Sequence, residues 1–147
     1  TLGVLFGEEL APCGLVCCRV DLGEGMTTFI QGVLSACGAL KPYVSPTFVI
    51  MKQYDLATPT ETGIRRMYHA DAYRIEQADD FEKIGFSEWL SDTEGVVLLE
   101  WPERVAALLP ERRIEVALRL GAEESRVIDI TPFRSSELSG ILEEQGS

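Results

Sequence analysis

The sequence predicts an α/β fold with a mostly parallel sheet flanked by helices and an antiparallel strand pair near the carboxyl terminus. A short apolar run at residues 15–20 leads through a glycine-rich turn into residues 26–37, where apolar residues have helical spacing. Residues 96–99, Val-Val-Leu-Leu, form a strongly apolar run, which is typical of a central strand covered on both faces. Two final strands, about 113–120 and 126–131, flank a turn and predict the antiparallel pair.

In the first half of the chain, glycine and proline mark the ends of the predicted elements. Residues 2–10 are compatible with a short helix, which Pro12 and Gly14 separate from the strand at 15–20. Two prolines between residues 41 and 47 predict an extended loop before a strand at 48–54. The predicted helix 26–37 has Gly38 at its end, and its apolar residues are Phe29, Ile30, Val33, Leu34 and Cys37.

The second half of the chain alternates strands with short helices, as an α/β sheet requires. Helices are therefore expected on both faces, with the glycine turn at the carboxyl end of a central strand. The remaining predicted elements are a polar turn at 55–64, a strand at 66–72, a helix at 79–90 interrupted by Gly85, a short helix at 103–109 and a helical tail from Ser135.

Length and composition favour one domain over residues 1–147. The chain is 46% hydrophobic and 25% charged, which is the usual balance of a soluble globular protein. No apolar run approaches the roughly 20 residues that a membrane span needs. The first residues carry no basic segment of a signal peptide. We therefore expect a cytoplasmic protein with no membrane partner.

Net charge and cysteine content argue against direct nucleic-acid binding and against a zinc site. A formal net charge of −11 argues against direct grip on nucleic acid phosphates, which needs clustered Lys and Arg. It does not exclude a nucleotide, because a few amides and one Mg²⁺ can outweigh it locally. The four cysteines, Cys13, Cys17, Cys18 and Cys37, form no C-x-x-C pair, and the chain has one histidine. Buried free thiols are therefore expected rather than a zinc site.

Residues 20–28 have the layout of a phosphate-binding loop. A strand ends, Gly23 and Gly25 follow, and a helix opens with Thr27 and Thr28. Glycines let backbone amides turn towards an anion, and the free N–H groups at the start of a helix face it. The Thr27 hydroxyl then takes the place of a Mg²⁺ ligand. A plain connection between strand and helix is the alternative interpretation.

Two positions depart from the usual phosphate-loop pattern, G-x-x-x-x-G-K-[ST]. Val20 stands at the first glycine and Met26 at the lysine. That lysine supplies a positive charge between the β- and γ-phosphates, which methionine cannot. Losing one charge-assisted contact costs about 1.5–3 kcal/mol, or about ten- to a hundredfold in affinity. Lys41, Arg19 or a basic residue of a partner are the candidates to replace it.

Two further segments carry polar residues suited to the same site. Thr47, in Ser-Pro-Thr, is a hydroxyl on a proline-stiffened loop that can reach a γ-phosphate or its metal. The alternative is a simple turn. Asp71 ends the predicted strand 66–72, where an acid beside a phosphate loop holds Mg²⁺. In the alternative interpretation Asp71 caps the next turn, Arg74 pairs with a surface acid and His69 lies at the edge of the core.

Glu100 and Trp101 follow the predicted central strand 96–99 directly. An acid at this position faces the crevice where α/β proteins bind ligands, so Glu100 can hold a metal-bound water or orient an attacking water. Trp101 offers a flat apolar face for a base or a partner. Ordinary core packing is the alternative for Trp101.

Together, these segments resemble the TsaE family, also called YjeE. The resemblance implies a P-loop NTPase-like domain that binds ATP and Mg²⁺ and hydrolyses ATP. It also implies a role in tRNA threonylcarbamoyladenosine biosynthesis with the TsaB and TsaD proteins, with tRNA reached only through that complex. The segments are D-L-G-E-G-M-T-T-F at 21–29, S-P-T-F at 45–48, H-A-D-A-Y-R at 69–74 and E-W-P-E at 100–103.

By position, the resemblance assigns three groups of residues, and the departure at Met26 leaves two hypotheses. The first is an ATPase subunit that is slowed but working. The second is a docking protein of the TsaB–TsaD complex that binds nucleotide weakly or not at all and does not hydrolyse it. The groups are Gly23, Glu24, Gly25, Met26, Thr27, Thr28 and Trp101 for the nucleotide, Thr27, Asp71 and Glu100 for the metal, and Glu100, Asp71 and Thr47 for catalysis.

Overall fold

The strands form one mixed sheet. The computed structural model describes residues 7, 10–12, 14–20, 25–46, 49–120 and 126–132. Within this part of the chain, six strands lie in the order β2-β3-β4-β1-β5-β6. Their bounds are β1 Gly14–Val20, β2 Met51–Asp55, β3 Arg66–Asp71, β4 Gly95–Glu100, β5 Ile114–Leu120 and β6 Arg126–Pro132.

The four inner strands are parallel and the two edge strands are antiparallel to their neighbours. β3, β4, β1 and β5 pair in parallel, whereas β2 runs against β3 and β6 runs against β5. The predicted mostly parallel sheet with an antiparallel pair near the carboxyl terminus is therefore confirmed. β4 lies between β3 and β1, and its residues 95–99 are all buried. Its apolar run is explained by cover on both faces of the sheet.

Helix α1, Met26–Ala36, confirms the helix predicted at 26–37. Its apolar residues at helical spacing form one buried face against the sheet. Gly38 follows with φ +90°, a backbone conformation that glycine adopts without the steric cost of a β-carbon. The N–H of Ala39 donates to the Leu34 carbonyl at 2.9 Å, which closes the helix end.

The helix predicted at 79–90 is divided at Gly85 into α2, Ala78–Lys83, and α3, Phe86–Leu90. Gly85 has φ +118°, and a β-carbon there would lie 3.1 Å from Nε1 of Trp89. The chain therefore turns at Gly85 and forms two helices, whereas the sequence predicted one interrupted helix. The helix predicted at 103–109 is a 3-10 helix, Pro102–Leu108, whose backbone kinks at Val105.

The strand predicted at 48–54 begins later, at Met51, so the start of this prediction was wrong. The N–H of Ile50 donates to the Pro46 carbonyl at 2.7 Å, and Ile50 has φ +67°. Val49 and Ile50 are therefore not part of the strand, whose first residue, Met51, pairs with Ala70 of β3. The strand predicted at 66–72 is confirmed and ends at Asp71.

The core has one part on each face of the sheet, as predicted. On one face α1 packs on the sheet; on the other, α2, α3 and the 3-10 helix contribute Phe81, Phe86, Trp89 and Val105. Cys17, Cys18 and Cys37 are buried free thiols, as expected. Burial raises the pKa of Cys17 to about 12 and that of Cys37 to about 11, because the interior disfavours a thiolate.

Some predicted elements lie wholly or mostly outside the described residues. Of the predicted helix 2–10, Gly7 is described as helical and its carbonyl accepts a hydrogen bond from Sγ of Cys37 at 3.7 Å. Cys13, the turn at 121–125 and the tail from Ser135 lie outside. Among the helices that the structure describes, none combines the length and apolarity required to cross a membrane.

Candidate functional site

The carboxyl ends of three parallel strands meet at one edge of the sheet. Asp71, the last residue of β3, is the register partner of Glu100, the last residue of β4. On its other side Glu100 pairs with Cys18 of β1. Because neighbouring strands lie about 4.8 Å apart, the two acids predicted from separate segments of the chain are neighbours.

Asp71 and Glu100 lie on the face of the sheet that α1 covers. Side chains alternate between the two faces along a strand. Met67 of β3 and Leu98 of β4 both pack in the core cluster that contains α1. Asp71 and Glu100 follow them by even numbers of residues, so their side chains share that face.

Glu100 is held by His69, a residue to which the sequence analysis gave no role in the site. His69 Nε2 lies 2.8 Å from Oε2 of Glu100, and the two side chains are 8% and 20% exposed. Within the described structure Nδ1 of His69 is buried without a hydrogen-bond partner. Hydrogen bonding therefore assigns the proton to Nε2, which donates to the carboxylate. The spacing of His69 and Asp71, two residues apart on one strand, was the signal that could have placed His69 here.

Asp71 is buried and shapes the chain beyond β3. Its Oδ1 accepts a hydrogen bond from the N–H of Tyr73 at 2.8 Å, which confirms the capping interpretation. Capping this turn does not prevent Asp71 from binding a metal ion as well, because a carboxylate has two oxygens with about four acceptor positions.

Trp101 and Tyr73 form an exposed aromatic pair beside the two acids. Their ring centroids are 4.9 Å apart, and the residues are 40% and 48% exposed. Core packing of Trp101, the alternative in the sequence analysis, is therefore wrong. Trp101 has φ +59°, an uncommon conformation for a bulky residue. This conformation turns the chain between β4 and the 3-10 helix and leaves the indole at the surface.

The start of α1 supplies free backbone donors. Gly25 has φ +102°, and its carbonyl accepts the first helical hydrogen bond, from Phe29, at 2.9 Å. The N–H groups of the first helical turn have no partner within the helix, and Thr27 and Thr28 are exposed. Gly23, Glu24 and Thr47 lie outside the described residues, so their predicted roles stay predictions.

Met26 lies in the core, 1% exposed, among the apolar residues of α1 and the sheet. Its thioether therefore contributes to packing and brings no charge to the site. Arg19, one candidate replacement, is held by two acids: its Nε lies 2.8 Å from Glu115 and its Nη1 lies 3.0 Å from Glu103. Burial opposes ionisation of Glu115, but hydrogen bonds from Arg19 and Arg113 outweigh it and lower the pKa of Glu115.

The acids at this edge suit a magnesium ion bound together with a nucleotide. Among the described residues, no group of three His, Cys, Asp or Glu side chains is placed to hold a metal ion. Mg²⁺ at nucleotide sites takes one or two carboxylates and completes its octahedron with phosphate oxygens and water. Asp71 and Glu100 can provide those carboxylates, whereas they are too few for a metal cage built from protein alone.

Comparison with known proteins identifies relatives over most of the chain. The family profile described as threonylcarbamoyl adenosine biosynthesis protein TsaE matches residues 1–128. The chain is 37% identical over 134 residues to a tRNA threonylcarbamoyladenosine biosynthesis protein TsaE of Nostoc, covering 90% of this chain and 78% of the relative. It is 34% identical to the TsaE of Treponema pallidum, covering 87% and 89%. The crystal structure of YdiB from Bacillus subtilis has the same fold, with a TM-score of 0.73 at 23% identity over 99% of this chain and 87% of YdiB.

Proposed function

Because the chain belongs to the TsaE family, whose members act in tRNA threonylcarbamoyladenosine biosynthesis, we propose that it binds and hydrolyses ATP in support of that modification. The observation that carries the proposal is the pairing of Asp71 with Glu100 at the edge of the sheet, on the face covered by α1. A helix start with free amides and two carboxylates on one face are the parts that a phosphate and its Mg²⁺ need.

The proposed binding groups are those that membership of the family implies by position in the sequence. The amides of Gly23, Glu24 and Gly25 and the first turn of α1 hold the phosphates, with Met26 contributing only its backbone N–H. Thr28 lies beside them, and Trp101 presents its exposed indole to the nucleotide or to a partner surface. Thr27, Asp71 and Glu100 would hold Mg²⁺, which when bound would neutralise charge on the phosphates.

The proposed chemistry is attack of water on the terminal phosphate of ATP, giving ADP and phosphate. Glu100 orients that water through the carboxylate oxygen that His69 does not hold. Asp71 and Thr47 complete the catalytic set, with Thr47 as the hydroxyl that approaches the γ-phosphate. His69 keeps Glu100 in one orientation, so it is a positioning residue.

The proposed partners are the TsaB and TsaD proteins, with the tRNA reached only through their complex. The net charge of −11 supports this division, because a protein that grips RNA by its phosphates needs a basic surface. A cytoplasmic location and one domain over residues 1–147 are parts of the same proposal.

Met26 supports a second candidate, a docking protein that binds nucleotide weakly or not at all and does not hydrolyse it. The side chain of Met26 lies in the core, so the loop lacks the cation that usually stabilises the transferred phosphate. Hydrolysis by the natural chain, compared with that of Met26→Lys, distinguishes the two candidates. A lysine can keep its stem in the core and extend its ammonium towards the phosphates.

The test compares the affinity for MgATP and ATP hydrolysis, with TsaB and TsaD present, for the natural chain and for Met26→Lys. We expect affinity to rise by about tenfold or more, because a charge-assisted contact is restored. Gln77→Lys, which adds the same charge at an exposed site before α2, is the control and leaves affinity unchanged. Absence of measurable MgATP binding in both the natural chain and Met26→Lys would mean that the loop does not hold a triphosphate.

A second variant tests the role of Glu100. Glu100→Gln keeps an oxygen that accepts the hydrogen bond from His69 but removes the negative charge. We expect it to abolish hydrolysis in a chain that still folds. If Glu100→Gln still hydrolyses ATP, Glu100 has no role in the chemistry. If the natural protein binds MgATP without hydrolysing it, the docking role is favoured.

A further inference from the structure

An open groove of about 800 Å³ runs along α1 and begins at Thr28. Thr28, Gln31 and Ser35 line it from the helix, and Lys41 and Tyr43 face them from the segment that follows α1. Small-molecule sites have volumes of about 300–1,000 Å³. Since Thr28 belongs to the first turn of α1, the groove continues directly from the proposed phosphate site.

The wall of the groove opposite α1 is fixed to the rest of the fold. The Tyr43 hydroxyl donates to the Ala39 carbonyl at 3.0 Å, and the N–H of Val44 donates to the Tyr54 hydroxyl at 2.9 Å. The rings of Tyr43 and Tyr54 meet edge to face with centroids 6.1 Å apart. These contacts tie the segment after α1 to strand β2, so the wall is in place before a ligand binds and little ordering entropy is lost.

Other described cations at or near the site edge are engaged elsewhere. Arg19 pairs with two acids, and the Arg104 guanidinium lies 5.4 Å from the centroid of the Tyr73 ring. The ammonium of Lys52 lies 6.0 Å from the centroid of Tyr54. Each interaction directs the positive group towards a protein partner rather than towards the start of α1.

Lys41 differs from these residues. Lys41 is exposed and, like Thr28, is one of the residues that line the groove. In the part of the chain that the structure describes, no ion pair joins Lys41 to an acid. Its ammonium is therefore available to an anion bound in the groove.

We infer that this groove holds the sugar-phosphate part of the nucleotide and that Lys41 supplies the positive charge that Met26 does not. The inference rests on the proposed binding of ATP and adds to it where the missing charge comes from. A flexible lysine on a fixed segment can reach a phosphate without disturbing the core. Met26 thus packs in the core and Lys41 binds the phosphates, whereas in the usual phosphate loop the lysine at the position of Met26 is the residue that binds them.

The test measures dissociation constants by calorimetry for the full chain with MgATP, MgADP and adenosine. Lys41→Ala should weaken MgATP binding by about ten- to a hundredfold, because one charge-assisted contact is lost, and should leave adenosine binding within about twofold. Lys41→Arg should retain the affinity for MgATP within about threefold, since the charge is kept. Lys83→Ala is the matched control, because Lys83 is exposed on α2, on the opposite face of the sheet.

A double variant separates this inference from the proposed function. In the Met26→Lys variant the introduced lysine also supplies a charge to the phosphates. Adding Lys41→Ala to this variant should therefore weaken MgATP binding by only about threefold or less. Equal MgATP affinity in the natural chain and Lys41→Ala would overturn the inference while leaving ATP binding intact. If neither the natural chain nor Met26→Lys binds MgATP, the proposed function fails and the inference fails with it.

Discussion

Nε2 of His69 lies 2.8 Å from Oε2 of Glu100, across the parallel pair β3–β4. Both residues are on the face of the sheet under α1, and Asp71 follows His69 by two residues on the same face. The contact restricts the rotamers of Glu100 and leaves one carboxylate oxygen for a ligand. A hydrogen bond to a charged group contributes about 1.5–3 kcal/mol, which is enough to favour one orientation of Glu100.

His69→Leu is expected to lower the rate of ATP hydrolysis by about tenfold or more and to leave MgATP affinity within about threefold. The reason is that Glu100 loses its orientation while the phosphate-binding groups remain. His69→Gln should recover most of the rate, since its amide nitrogen reaches the position of Nε2. Steady-state kinetics and calorimetry measure the two quantities, and a Gln variant as slow as the Leu variant would contradict a positioning role.

Gly25→Ala is expected to weaken nucleotide binding and to destabilise the fold by about 1–2 kcal/mol, because a β-carbon strains the left-handed backbone. Gly38→Ala is the matched control at the other end of α1. Gly38 has φ +90°, and a β-carbon there would meet nothing within 4 Å. Both variants should lose similar stability in urea titrations, but Gly25→Ala alone should lose affinity for MgATP. Equal affinity in the two variants would show that the turn before α1 does not bind phosphate.

Asp92→Asn is expected to destabilise the protein at pH 7 more than at about pH 3. Nη2 of Arg66 and the Tyr68 hydroxyl lie 2.9 Å and 2.7 Å from the oxygens of Asp92. The hydrogen bond from Arg66, which outweighs burial, holds the pKa of Asp92 well below its usual range. Stability from the ionised form is therefore present above the unfolded pKa of about 3.9 and is lost as the pH falls through the folded pKa. Urea unfolding at both pH values measures the difference.

Asp129→Asn is the control for this experiment. Asp129 pairs with Arg119 at 3.0 Å, but both side chains are more than half exposed. Water screens such a pair, which contributes about 1 kcal/mol or less. A loss of stability equal in the two variants, or one that does not shrink in acid for Asp92→Asn, would mean that the Arg66–Asp92 contact is not the cause.

Nucleotide binding is expected to change the fluorescence of Trp101 and not that of Trp89. Trp101 is 40% exposed beside the two acids, whereas Trp89 is 8% exposed within the aromatic cluster on the other face. In Trp89→Phe, titration with MgATP should quench or shift the remaining emission; in Trp101→Phe, it should leave the emission unchanged. A response carried by Trp89 would place the nucleotide elsewhere or indicate a wider rearrangement.

The segments of the site could be predicted because each depends on local spacing. Glycines after an apolar run and helical periodicity from Met26 predicted β1 and α1, and the apolar run at 96–99 predicted β4 as central. The start of β2 was not predictable in the same way. Ile50 has φ +67°, which interrupts extended backbone despite the β-compatible side chains around it.

Contacts between segments required the tertiary structure. Asp71 and Glu100 are 29 positions apart in the chain, and only the register of β3 on β4 makes them partners. The same register brings His69 to Glu100. The sequence also did not determine where the side chain of Met26 lies, since a methionine at the start of a helix suits either a loop or a core. The packing of α1 on the sheet places it in the core.

By itself, the sequence determined the order of strands and helices, the segments that bear polar residues and the family to which they point, because these depend on residues near one another in the chain. Tertiary structure alone decided which acid a histidine holds, which arginine is already paired and which lysine lines a groove. Strand register and helix packing set those distances, and both arise from burial of apolar surface across the whole domain.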